Sequence, residues 1–209
     1  MNILIADDHT IVRRGLKEIL NEEFKDSEII EVSDGNQLMA KMHGKTKFDI
    51  VISDLSMPGR GGLDVLKQLK EEFPKQPVLI LSIYPEEQYA LRVMKAGASG
   101  YLTKDSAPDE LVKAVKQILN GRKYITASLA EQLVTNINAD SNKKLHELLS
   151  DREFEVLKLI ASGKTVTDIA DKLSLSITTI STYRARILEK MNLKNNAELT
   201  RYALENNLN

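Results

Sequence analysis

The chain has 209 residues, 42% of them hydrophobic and 28% charged, with no cysteine and a formal net charge of −1. That composition suits one or two globular domains and excludes disulfides and thiolate chemistry, so any metal must be held by oxygen or histidine. Charge is nearly balanced in both halves, with 18 basic and 19 acidic residues up to residue 125 and 9 and 8 from residue 150 onward, so global electrostatics alone predicts no nucleic-acid partner.

Up to about residue 122, short β-like runs alternate with helical periodicity. They read NILIA, TIVRRGLKEIL, EIIEV, NQLMAKM, FDIVIS, GLDVLKQLKEEF, PVLILS, EEQYALRVMKA, GYLT and DELVKAVKQIL. The four apolar residues Ile3 to Ala6 are too few for a secretory signal, and no later run approaches a membrane span, so a cytoplasmic protein without membrane insertion is expected. Five βα units in series predict a doubly wound five-stranded parallel sheet with helices on both faces. Pro74, Gly97 and Gly121 follow helical segments, Pro85 stands near the first turn of one, and Ser106 is expected to cap another. Met39, Met42 and Met94 read as core filler.

In such a sheet the working groups lie beyond the carboxyl ends of the strands. Those ends carry Asp7 and Asp8 after the first strand, Asp54 after the third, Ser82 after the fourth and Lys104 after the fifth. Three carboxylates cannot stay ionised together in a small pocket without compensating cations. Lys104 supplies one charge, and Mg2+ touching a phosphoryl oxygen would supply the rest. The set fits phosphoryl transfer to Asp54, with Ser82 donating a hydrogen bond to the transferred group and the GRGG turn leaving room for a donor. A dinucleotide site is excluded because ADDH stands where glycines would approach a pyrophosphate. A haloacid-dehalogenase-type phosphatase needs a second acid two residues after its nucleophile, and residue 56 is serine.

IADDH, SDLSMPG, LILS and YLTKD together resemble a response regulator receiver domain. The resemblance implies a flavodoxin-like strand order 2-1-3-4-5, Asp54 as phosphoacceptor, Mg2+ ligated by Asp8, Asp54 and the Ser56 carbonyl with Asp7 acting mostly through water, and Ser82 and Tyr101 reorienting together on phosphorylation. It also implies a sensor histidine kinase as phosphodonor and a protein that is not a free-standing enzyme, although it can lose the group by its own hydrolysis. Ser56 and Tyr84 occupy positions that tune dephosphorylation in this family.

After Gly121 a short helix is expected over 128–134, followed by a polar linker, NINADSNKK. Beyond Leu149 only helical patterns remain, four of them opened by Ser150 with Glu153, Thr165 with Asp168, Ser176 with Thr179, and Asn195 with Glu198. Helices at 166–173 and 177–190 joined by SLS suit a helix-turn-helix. In the second of these, Ile177, Ile180, Ile187 and Met191 share an apolar stripe, with Thr178, Thr182, Ala185, Arg186 and Glu189 opposite. Arg184, Arg186, Lys190 and Lys194 concentrate positive charge there for phosphate contacts. His9, His43 and His146 are scattered, with no companion at ligand spacing.

The stretch SDREFEVLKLIASGKTVTDIADKLSLSITTISTYRARILEKMNL resembles the LuxR-type DNA-binding domain of NarL/FixJ response regulators. The resemblance places Ser181, Thr182 and Ala185 at base-contacting positions. Tyr183 replaces a commoner histidine, Ser181 and Ala185 replace commoner basic residues, and TVTD departs from the usual SNKE, so operator preference does not carry over. In relatives the last helix pairs two such domains on DNA, which makes Leu199, Tyr202 and Ala203 candidates for dimerisation; packing within one chain explains the same spacing. The expected division is a receiver over 1–122, helix and linker over 123–146, and an all-α four-helix DNA-binding domain over 147–209. The whole then reads as a transcriptional regulator in which phosphorylation of Asp54 promotes homodimerisation and binding to double-stranded promoter DNA. The competing reading, prompted by Ser181, Tyr183 and Ala185, is a phosphorylation-independent partner acting through hetero-assembly with another regulator.

Overall fold

In the computed structural model the chain divides into two compact units, Met1–Val134 and Thr135–Asn209. Residues 1–57, 62–127, 129–131 and 144–208 are described. The expected linker residues 136–143, residues 59–61 of the GRGG turn, and positions 128 and 132–134 of the short helix lie outside them.

The first unit contains β1 (Asn2–Ala6), α1 (Thr10–Glu23), β2 (Glu28–Val32), α2 (Gly35–Met42), β3 (Ile50–Asp54), α3 (Gly62–Glu72), β4 (Val78–Ser82), α4 (Glu86–Lys95), β5 (Gly100–Thr103) and α5 (Ala107–Leu119). All adjacent strands are parallel, in the order β2-β1-β3-β4-β5, as the receiver resemblance implies. Every residue of β3 and β4 is buried because helices cover both faces, which is why these strands read as continuous apolar runs. Ile3, Ile5, Ile50, Ile52, Leu79 and Leu81 form one core cluster with Leu111 and Val115 of α5. Met39, Met42 and Met94 are buried with the core.

Ser106 departs from expectation. It occupies the N-cap position of α5, but its backbone is helical rather than extended and its side chain caps nothing. Its hydroxyl instead donates to the Thr103 carbonyl, at 3.1 Å. Beyond α5, Tyr124 donates its N–H to the Ser99 carbonyl and forms a parallel bridge with Gly100, so this stretch extends the β5 edge. Thr126 then donates to Glu86 at the start of α4, at 2.6 Å. Residues 127 and 129–131 are helical, with Leu129 fully buried.

The second unit holds a 3-10 turn (Leu145–Leu148), α6 (Asp151–Ala161), α7 (Val166–Leu173), α8 (Ile177–Met191) and α9 (Asn196–Glu205). All four expected N-caps accept the hydrogen bond they were chosen for, and Ser150 and Thr165 form reciprocal capping boxes. α7 ends in a left-handed Ser174, which turns the chain into α8 within three residues. Phe154, Ile169, Ile180, Ile187, Met191 and Leu199 fill the core.

Candidate functional site

The strand order reverses between β1 and β3, and the acids gather there. Asp54 ends β3 and is 1% exposed; Asp7 follows β1 and is equally buried. Lys104, just after β5, places Nζ 2.8 Å from Asp54 Oδ2 and 2.8 Å from Asp7 Oδ2. Its contact with Asp54 is a hydrogen bond, whereas its contact with Asp7 Oδ2 is an ion pair only. Its backbone is tied to β4, because Lys104 N donates to the Ser82 carbonyl at 2.7 Å. The Ser56 N–H donates to Asp54 Oδ1 at 3.1 Å, and the His9 N–H donates to Asp7 Oδ1 at 2.7 Å.

One ammonium shared by two buried carboxylates leaves a charge imbalance. Burial pushes the Asp54 carboxyl above its usual range and the neighbouring Asp7 adds to the push, although Lys104 and the Ser56 N–H oppose it. For Lys104, burial disfavours the cation, but its hydrogen bond to Asp54 and its ion pair with Asp7 outweigh that and hold it above the usual lysine range. Asp8 Oδ1 is also buried without a hydrogen bond. Oxygen atoms of Asp7, Asp8 and Asp54 and a ring nitrogen of His9 all lie within 4.8 Å of one another. Hard, incompletely partnered oxygens at this spacing fit a divalent cation. His9 was set apart with His43 and His146 as lacking a companion at ligand spacing, yet it directly follows Asp7 and Asp8, and the sheet brings Asp54 to all three.

Ser82 is fully buried at the end of β4, and its hydroxyl accepts the Tyr84 N–H at 3.0 Å. Tyr101 is buried in β5, with its phenol donating to the Tyr84 carbonyl at 2.8 Å, and burial pushes that phenol up. Two residues named for a switch are thus joined through one segment, the turn after β4. Gly62 was not singled out beforehand, but a Cβ there would overlap the Asp54 carbonyl oxygen and stand 2.7 Å from Leu55 Cα. Its only signal was the glycine pair at 61 and 62.

On α8, Thr178, Ser181, Thr182, Ala185 and Arg186 are exposed, as is Lys194 beyond its end. Ile180, Ile187 and Met191 are buried in the core, but Ile177, in the first turn, is 54% exposed and leaves the expected stripe. Two of the four expected cations are engaged within the unit. Lys190 Nζ meets Glu153 Oε2 at 2.6 Å, and Arg184 Nε donates to Asn196 Oδ1 at 2.6 Å. The dimerisation candidates need correction: Leu199 and Ala203 have no exposed surface and pack inward, while the Tyr202 hydroxyl lies 2.9 Å from His146 Nδ1. Side chains with no accessible area cannot meet a second copy, so the alternative of packing within the chain holds for these two.

A sheet whose reversal point gathers acids and a lysine, carried in one chain with a helix-turn-helix, defines the class of regulators with a receiver and a DNA-binding output unit. Residues 3–116 match the response regulator receiver domain, and residues 147–203 match the luxR family of bacterial regulatory proteins. The chain belongs to the response regulators that combine these two domains. It is 38% identical to the oxygen regulatory protein NreC of Staphylococcus carnosus over 216 residues, covering 100% of this chain and 99% of that one. It is 32% identical to the response regulator UvrY of Escherichia coli over 209 residues, covering 100% and 95%. Among solved structures, RcsB of Salmonella enterica serovar Typhimurium, bound to promoter rprA in the presence of phosphomimetic BeF3−, aligns with a TM-score of 0.65. That match has 32% identity and covers 97% of this chain and 98% of that one. No helix among the described residues is long and apolar enough to cross a membrane.

Proposed function

We propose that the receiver, residues 1–122, takes a phosphoryl group onto Asp54 from a phosphohistidine of a sensor kinase, and that residues 123–146 connect it to a DNA-binding domain over 147–209. The observation that carries this reading is Lys104 Nζ, 2.8 Å from Asp54 Oδ2 and 2.8 Å from Asp7 Oδ2 in a pocket with more carboxylate than cation. A carboxylate oxygen of Asp54 attacks phosphorus as the P–N bond of the donor breaks. Lys104 stays to neutralise the transferred group, and Ser82 turns its hydroxyl toward it, giving up the Tyr84 N–H. Asp7, Asp8, Asp54 and the Ser56 carbonyl would hold Mg2+, which offsets charge on the phosphoryl oxygens.

Because Ser82 and Tyr101 both bond to Tyr84, a turn of Ser82 disturbs the anchor of Tyr101. That shift in the receiver surface favours a homodimer whose paired α8 helices enter promoter DNA. Thr178, Ser181, Thr182 and Ala185 face the bases, and Arg186 and Lys194 the phosphates. The dimer partner surface on α9 lies on its exposed side, where Leu204 is 54% exposed. The protein acts in the cytoplasm, as transfer from a kinase to DNA requires.

Intact mass after incubation with Mg2+ and a small acyl phosphate tests the reading. One phosphoryl group is expected on wild type and none on Asp54→Asn. Equal labelling of both, or none on wild type with Mg2+ bound, overturns it.

A further inference from the structure

We infer that His9 is a nitrogen ligand in the acid pocket, which makes this receiver a site for borderline transition ions of the Zn2+ and Co2+ class as well as for Mg2+. The inference rests on the reading of the pocket as a cation site.

Donors at right angles or tetrahedrally placed around an ion with bonds of about 2.0 to 2.1 Å stand about 2.8 to 3.4 Å apart. His9 Nδ1 lies 2.9 Å from Asp8 Oδ1 and 3.4 Å from Asp7 Oδ1, within that range. His9 occupies the N-cap position of α1, yet its side chain makes no capping hydrogen bond, so no helical bond is broken when the ring turns to a metal. Its side chain is 61% exposed and can reorient. Asp7 Oδ2 and Asp8 Oδ1 are buried acceptors lacking a hydrogen bond, and Asp7 is 1% exposed. Magnesium gains little from imidazole because it prefers oxygen and retains water, whereas zinc-class ions bind imidazole strongly. Ions of this class therefore compete with Mg2+, and with His9 bound they leave fewer positions for a phosphoryl oxygen.

The test is titration of the full chain with Co2+ and with Mg2+, comparing wild type, His9→Ala and Asp8→Asn. Wild type is expected to bind one Co2+ at least about tenfold more tightly than His9→Ala. Mg2+ affinity in those two proteins should agree within about twofold. Asp8→Asn should lose both ions. Independently of any variant, one of the three histidines should show paramagnetically shifted ring protons at one equivalent of Co2+. Equal Co2+ affinity with and without His9, retention of Co2+ by Asp8→Asn, or three unshifted histidines overturns the inference. If wild type binds Mg2+ and is phosphorylated in those cases, only the role of His9 fails; if it binds neither ion, the cation reading of the pocket fails too.

Discussion

The ammonium of Lys190 lies 2.6 Å from Oε2 of Glu153, a carboxylate only 3% exposed at the start of α6. The helix proposed to present a basic face to DNA thus uses one of its cations to hold itself in place. The same carboxylate oxygen accepts the Ser150 N–H, closing the capping box. Burial disfavours the ionised Glu153, but the bonds from Lys190 and Ser150 outweigh it and hold the carboxyl below its usual range.

The first prediction follows from that pair. Lys190→Ala should destabilise the second unit by about 1 kcal/mol at neutral pH, a modest value because Lys190 is 41% exposed and solvent screens the contact. With a depressed folded pKa, the stabilisation is present above the ordinary glutamate range and fades as pH falls through the folded value. Arg186→Ala and Lys194→Ala should each lower the salt slope of DNA binding by about 1, while Lys190→Ala leaves it nearly unchanged. Binding measured across a salt series, beside thermal unfolding, separates the two roles.

Lys158 makes a second case. It is 7% exposed on α6, and burial lowers its amine to about 8, with Glu155 opposing. A base depressed on folding contributes stability above its unfolded pKa and loses it as pH falls toward the folded one. Stability should therefore fall between about pH 10 and 8 and then level off. Lys158→Met should be more stable than wild type by about 1 to 2 kcal/mol at pH 7, with the gap closing near pH 10. Chemical denaturation at the two pH values reads this, and a pH-independent gap contradicts it.

The charge imbalance in the acid pocket gives a third prediction. Burial and Asp7 raise the Asp54 carboxyl, so its contribution is favourable below the ordinary aspartate range and is lost as pH rises through the folded value. At neutral pH without divalent ions, Asp54→Asn should be more stable than wild type by about 1 kcal/mol, or about 3 °C in melting temperature. Lowering pH toward 4 should remove the difference, and added Mg2+ should raise wild type more than the variant. Melting curves that coincide with and without the substitution at pH 7 would contradict it.

Gly62 supports Asp54 from behind, its N–H donating to the Leu55 carbonyl at 2.9 Å. A methyl group there meets the backbone of Asp54 and Leu55, which cannot move aside as a side chain can. Gly62→Ala should cost about 2 to 3 kcal/mol and slow phosphorylation of Asp54. A variant that melts and labels like wild type would show that this backbone yields.

Alternating periodicities, glycine and proline punctuation and four capping pairs determined from sequence the five βα units and the helix-turn-helix, because these signals act between residues near in the chain; the strand order came only with the receiver resemblance. The strand ends also named Asp7, Asp8, Asp54, Ser82 and Lys104, since a parallel sheet brings its carboxyl ends to one edge. Tertiary structure alone decided where the remaining charges and apolar residues are used. It sent Lys190 to a partner 37 residues away and Arg184 to one 12 away, turned Leu199 and Ala203 inward, exposed Ile177 and brought Asp54 to Asp7, Asp8 and His9. Helical spacing gives the face on which a side chain lies; what that face meets is set by elements distant in sequence, whose approach no local pattern records.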